Sequence, residues 1–220
     1  MSPQVFCFYA HSAALTLSNS STIVEDVWGV CRTGLATFAH FYFDFRDEEK
    51  QDVRGLLSSL LVQLSDQSDN FRTILSKLYS DHNRGSITPS VDALLKCLED
   101  ILTLPGQGEI YIVMDALDEC PNSSGYPSRR EEVLKIIQEL VCLRHSHLHF
   151  CITSRPEVDI RDVLEPLADH NVSLHDQAGQ NHDISAYIES VVYSDPKMKR
   201  WREEDKQLVI EALIERSNGM

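Results

Sequence analysis

The sequence lacks the features that mark three common classes of protein. Its six cysteines form no Cys-x-x-Cys pair, and no apolar run approaches the ~20 residues of a membrane-spanning helix. Basic residues number 20 against 34 acidic ones, a net charge of −14. An acidic chain repels phosphate backbones, so we expect no nucleic-acid partner. The short apolar runs predict no membrane association, and the cysteine spacing predicts no disulfide framework. The start of the chain also lacks the basic region of a signal peptide, and a cytoplasmic location is predicted.

The hydrophobic pattern predicts an α/β fold. Stretches with strand character alternate with longer stretches of helical spacing, which is typical of a mostly parallel sheet flanked by helices. Strands are predicted at Val5–Tyr9, Phe38–Phe45, Ile110–Met114, Phe150–Thr153 and Asn171–Asp176. Helices are predicted at Glu48–Asp66, Phe71–Tyr79, Ser90–Leu102, Arg129–Leu143, Asn181–Val192 and Arg202–Gly219. In the second strand, alternation places Phe41, Phe43 and Phe45 on one face.

An acidic cluster follows the most apolar of these strands. The stretch "EIYIVMDALDEC" places Asp115 at the carboxyl end of a strand, with Asp118 and Glu119 just beyond it. Ligands of open α/β sheets bind at this end of the strands, and carboxylate oxygens suit Mg²⁺. A glutamate one turn beyond a magnesium aspartate can polarise a water for attack on a phosphate. The alternative is a strand that ends in a solvated acidic turn.

A second strand also ends in polar residues. The stretch "CITSRP" places Thr153, Ser154 and Arg155 at the carboxyl end of the next predicted apolar strand. An arginine at this point can neutralise a γ-phosphate. The alternative is an ordinary strand-end arginine that pairs with a local acid such as Glu157 or Asp159.

Taken in order, "FAHFYFDFRDEEKQ", "IYIVMDALDEC" and "HFCITSRPEVDI" resemble the NACHT-type signal-transduction ATPases. The chain is most similar to the nephrocystin-like N-terminal modules that are abundant in fungal multidomain proteins. The resemblance implies a P-loop ATPase sheet that binds ATP and Mg²⁺, with D-A-L-D-E as its Walker B segment. It makes Asp115 the magnesium ligand, Glu119 with Asp118 the hydrolytic acids, and Arg155 with Ser154 the nucleotide contacts. It also implies protein partners or self-association through C-terminal repeats, which these 220 residues do not include.

The phosphate-binding signature of that family is missing. The chain contains no Gly-Lys pair, and residues 10–20 contain neither glycine nor lysine. We therefore expect an atypical segment at 1–20 in place of the P-loop, an α/β core at 21–176 and a truncated helical subdomain at 177–220. Either the module is degenerate or its first ~20 residues come from a misjoined or alternative exon. In both cases we expect that residues 10–20 form no phosphate nest and that ATP hydrolysis is negligible.

Two other functions remain open on the sequence. One is a non-catalytic protein-interaction module with the same fold and no nucleotide binding. The other is a metallohydrolase, because His145, His147 and His149 alternate along one face of a strand. The alternative for the histidines is an ordinary strand entry, since no fourth ligand is evident.

Overall fold

The computed structural model describes residues 4–9, 29, 36–122, 127–173 and 177–217. The chain divides into two compact units, Met1–Val172 and Ser173–Met220. The expectations for residues 10–20 and for a helix end at Asn218 and Gly219 lie outside the described residues.

The first unit is built on a five-stranded, all-parallel sheet, which confirms the predicted α/β class. The strand order is β2-β3-β4-β1-β5. The strands are β1 (Gln4–Tyr9), β2 (Ala36–Tyr42), β3 (Glu109–Asp115), β4 (Leu148–Ser154) and β5 (His170–Ser173).

The described helices follow the predicted periodicity, with one addition. They are α1 (Val53–Gln67), α2 (Asp69–Asp81), α3 (Val91–Leu102), α4 (Arg129–Val141), α5 (Val158–Leu164), α6 (Gln177–Ser194) and α7 (Glu203–Ser217). Helix α5 was not predicted from the sequence. Helix α1 begins later than expected because Asp52 caps it, its side chain accepting the N–H of Gly55 at 2.8 Å. Ser90 caps α3 as predicted.

Part of the core lies between the sheet and a leucine-rich face of α1. Five leucines of this helix recur at helical spacing and are fully buried: Leu56, Leu57, Leu60, Leu61 and Leu64. They belong to one apolar cluster with the inward-facing residues of the strands. Burial of this stripe removes apolar surface from water and fixes α1 against the sheet.

The outer edge of β2 is closed by two glutamines of α1. Gln63 accepts the N–H of His40 at 3.0 Å and donates to its carbonyl at 2.7 Å. Gln67 makes the same pair of bonds with Phe38, at 2.9 and 2.6 Å. Each side-chain amide thus takes the place of a neighbouring strand, and the edge is not left open for another chain to pair with.

The second predicted strand is shorter than expected, and the face assigned to Phe45 is wrong. The strand ends at Tyr42, and Phe43 still pairs with Asp115 through its backbone N–H, at 3.0 Å. The chain then turns, with the Asp47 N–H donating to the carbonyl of Asp44. Phe45 is therefore 65% exposed, while Phe43 is buried.

The described part of the second unit contains α6 and α7, which pack together. Neither helix, nor any other described helix, is long and apolar enough to cross a membrane.

Candidate functional site

Strands β3 and β4 bring the two polar strand ends to one edge of the sheet. They pair in parallel with Met114 opposite Ile152, so Asp115 and Ser154 end neighbouring strands. Arg155 follows directly. The expectation that Asp115 and Arg155 share an edge is therefore confirmed. Strand β1 ends at the same edge, because Tyr9 is opposite Ser154.

Asp115 is enclosed at this edge. Its side chain has no exposed surface, and the hydroxyl of Thr153 donates a hydrogen bond to its Oδ1. The same hydroxyl accepts the N–H of Ala116 at 3.1 Å. Ala116 has a φ of 55°, in the left-handed region that non-glycine residues seldom adopt. This sharp turn leads directly into the short 3₁₀ turn Leu117–Glu119.

Asp118 is bound to the end of β4. Its Oδ1 accepts the backbone N–H of Arg155 at 2.9 Å, and its Oδ2 lies 3.2 Å from Nε of the same residue. The hydroxyl of Ser154 lies 3.4 Å from Oδ1. The arginine after β4 is thus paired with the acidic turn after β3. The local acids Glu157 and Asp159, the alternative partners proposed from the sequence, contact another arginine.

That arginine is Arg130, in the first turn of α4, and it is only 4% exposed. Its Nε donates to the carbonyl of Cys120 at 2.8 Å and its Nη2 to the carbonyl of Asp118 at 2.6 Å. Its Nη1 donates to Glu157 and, at 3.3 Å, to Asp159. One buried guanidinium therefore joins the loop after β3 to the loop after β4. Burial opposes its charge, but the contacts with Glu157 and Asp159 outweigh this and raise its pKa.

Arg130 was not predicted from the sequence. Its position in the sequence could nevertheless have indicated a special role, because a cation in the first turn of a helix is disfavoured by the helix dipole. Such an arginine is stabilised when nearby carboxylates or carbonyls compensate its charge, as they do here.

Glu119 occupies a different part of the edge. Its Oε2 accepts the N–H of Phe45 at 3.3 Å. Burial raises the pKa of this carboxyl, the Phe45 N–H acts against the shift, and the neighbouring Asp118 and Asp44 add to it. The surroundings of Glu119 thus disfavour its charged form. This property suits a proton acceptor, although it also occurs at purely structural sites.

The three histidines lie at the opposite end of β4. The Nε2 of His147 lies 2.9 Å from the carbonyl of Leu102, and the Nε2 of His149 lies 2.7 Å from Oε2 of Glu109. His149 also stacks on Tyr111. Across the described ranges, no group of three or more His, Cys, Asp or Glu side chains is placed to hold a metal ion. The metallohydrolase interpretation therefore has no structural support there.

Comparison with protein families shows which family the chain belongs to. The family described as Nephrocystin 3, N-terminal, matches residues 16–155, more than half of the chain. The chain belongs to the nephrocystin 3 N-terminal family. No curated protein matches the chain. The family match extends to Arg155 and includes β2, β3 and β4 with their polar ends, whereas β1 precedes it.

The described residues of this nephrocystin 3 N-terminal-type domain fit part of a magnesium-nucleotide site. The buried carboxylate of Asp115, at the end of a strand, is of the type that serves as one ligand of Mg²⁺. The remaining ligands of this ion are usually waters and phosphate oxygens. The phosphates themselves need cations or a row of N–H groups. Arg155 and Arg130 are already paired with acids, and residues 10–20 supply neither glycine nor lysine. Among the described residues, these two arginines do not offer free cations for a tightly held triphosphate.

Proposed function

We propose that this chain is a degenerate NACHT-type module of the signal-transduction ATPases. In this proposal it is a regulatory domain that retains the sheet and the acidic turn of a Walker B segment but has negligible ATP turnover. Membership of the nephrocystin 3 N-terminal family supports the proposal, as do the two polar strand ends on neighbouring parallel strands. Protein partners and self-association belong to the same proposal.

The observation that carries the proposal is the pairing of both arginines at the edge. Arg155 is bound by Asp118, and Arg130 by Glu157 and Asp159. A triphosphate at this edge would meet two arginines whose positive charges are already neutralised by carboxylates. It would meet them in a chain of net charge −14. Phosphoryl transfer depends on positioning and on electrostatic stabilisation of phosphate oxygens. Neither condition is met without a phosphate cradle.

Equilibrium binding of magnesium-ATP tests the proposal. Calorimetry would compare the native chain with a graft in which Gly-x-x-x-x-Gly-Lys-Ser replaces residues 13–20. The account expects saturable binding by the graft and none by the native chain at the same concentrations. Equal binding by both proteins would contradict it.

The second candidate is a protein-interaction module that no longer responds to nucleotide. The same paired arginines favour it, because carboxylates already neutralise the positive charges that would hold an anion at the described edge. The graft separates the two candidates. A degenerate switch should regain nucleotide binding once the cradle is restored, whereas a module that has lost the whole site should not.

A further inference from the structure

We propose that Asp118 is a latch on Arg155 that lowers the affinity of this edge for phosphate-bearing anions. The inference rests on the proposed function, since it concerns the same edge of the sheet. It assigns Asp118 a role that differs from that of a hydrolytic acid. In this role the carboxylate occupies the position on the guanidinium that an anionic ligand would otherwise take.

The geometry of the pair supports a specific latch. Asp118 contacts Arg155 at two points, the backbone N–H at 2.9 Å and Nε at 3.2 Å. The first contact fixes the carboxylate to the main chain of the loop after β4, and the second directs it at the guanidinium. An anion can therefore pair with the Nε edge of the guanidinium only by displacing a carboxylate that is also bound to the backbone.

The backbone of Asp118 is also held in place. The carbonyl of Asp118 accepts a hydrogen bond from the buried Nη2 of Arg130, at 2.6 Å. The Asp118 side chain is only 8% exposed, whereas that of Arg155 is 50% exposed. The acid is therefore the fixed partner and the arginine the accessible one. This asymmetry distinguishes the pair from a loose surface ion pair, in which both side chains are free to move.

The acids that follow Arg155 in the chain already contact another arginine and cannot readily replace Asp118. Glu157 and Asp159 are the nearest carboxylates along the chain after Arg155, and both contact Arg130. Removal of the Asp118 charge should thus free the guanidinium of Arg155 without an immediate replacement. Release of one charge-assisted contact predicts an affinity gain on the order of tenfold for a competing anion.

Binding of inorganic tripolyphosphate at low salt tests the latch without any need for catalysis. Calorimetry would compare the native chain with Asp118→Asn, Arg155→Ala and the double variant. Asp69→Asn is the matched control, because it removes the same charge from the exposed pair with Arg72 on α2. Circular dichroism would verify that each variant is folded.

The latch predicts three results. Asp118→Asn gains on the order of tenfold in affinity, the double variant loses that gain, and Arg155→Ala alone changes the native affinity by less than about twofold. A gain that persists in the double variant, or an equal gain from Asp69→Asn, would show a general charge effect and overturn the latch. If Asp118→Asn does not fold, Arg155→Ala decides alone: a large loss of affinity would mean that the arginine is already free. ATP turnover by the native chain would contradict the proposed function and leave the latch standing.

Discussion

Arg130 donates a hydrogen bond from its buried Nη2 to the backbone carbonyl of Asp118, at 2.6 Å. The two residues belong to different elements, since Arg130 lies in the first turn of α4 and Asp118 in the turn after β3. The contact fixes the acidic turn from inside the protein. The arrangement of the candidate site therefore depends on a residue that does not face a ligand.

Replacement of this arginine should destabilise the α/β unit. Arg130→Met retains the apolar stem but leaves two carbonyls without their donor and two carboxylates without their cation. We expect a loss of about 2–3 kcal/mol, less than for a fully buried pair because Glu157 and Asp159 reach solvent. Urea unfolding followed by circular dichroism measures the change.

Arg72→Met is the control for this substitution. Arg72 pairs with Asp69 on the exposed surface of α2, so its loss should cost about 0.5 kcal/mol or less. Equal effects of the two substitutions would show that the buried position of Arg130 has no special importance.

The glutamines along β2 should protect the chain from self-association. Gln63→Leu combined with Gln67→Leu removes four hydrogen bonds to the edge of the strand. We expect a loss of about 2 kcal/mol, because water can replace part of these bonds. Light scattering should rise steeply with concentration as the open edge pairs with other chains.

Gln207→Leu provides the comparison for the double glutamine variant. This residue lies exposed on α7, where its side-chain amide donates to Glu211 of the same helix. Its variant should scatter like the native chain. An unchanged scattering curve for the β2 variant would show that the edge is not a site of association.

The described cysteines should differ sharply in reactivity. Burial raises the pKa of the Cys7 and Cys120 thiols to about 12 and that of Cys97 to about 11, so their thiolate form is scarce at pH 8. Cys142 is exposed. Iodoacetamide at pH 8 should label Cys142 first, as peptide mass spectrometry would show, and Cys7, Cys97 and Cys120 only after unfolding in guanidinium chloride. Labelling of native Cys120 as rapidly as Cys142 would contradict the buried environment.

The pH dependence of this labelling has a definite sign. A thiol with a raised pKa gains thiolate only as the pH approaches that raised value. Labelling of Cys97 in the folded chain should therefore increase as the pH rises from 8 towards 11, the pKa to which burial raises it. A rate that levels off once the pH passes about 8.5, the pKa of an ordinary thiol, would indicate reaction from an unfolded fraction.

Much of the fold follows from the sequence because its signals are local. The apolar stretch from Ile110 to Met114 and the leucine spacing of α1 each determine their own element. The shared edge of Asp115 and Arg155 also follows, since neighbouring parallel strands end at the same side.

The remainder depends on contacts between residues that are distant in sequence. Phe45 continues the alternation of a strand, yet the turn at Asp44–Asp47 places it in solvent. The partner of Arg155 is 37 residues away in the chain, and nothing local distinguishes Asp118 from Glu157. The importance of Arg130 emerges only when α4 is placed against the two loops. Tertiary packing, which no window of sequence contains, decides these three points.

Magnesium-dependent ATP turnover is the most direct test of the central claim that this chain does not hydrolyse ATP. The native chain and the graft at residues 13–20 would be assayed side by side, each with its Glu119→Gln variant. The account predicts that the native chain is indistinguishable from its own Glu119→Gln variant. It also predicts that the graft exceeds both by about 10²-fold or more, the scale on which one preorganised donor contributes. Turnover by the native chain that equals that of the graft, and is abolished by Glu119→Gln, would contradict the account.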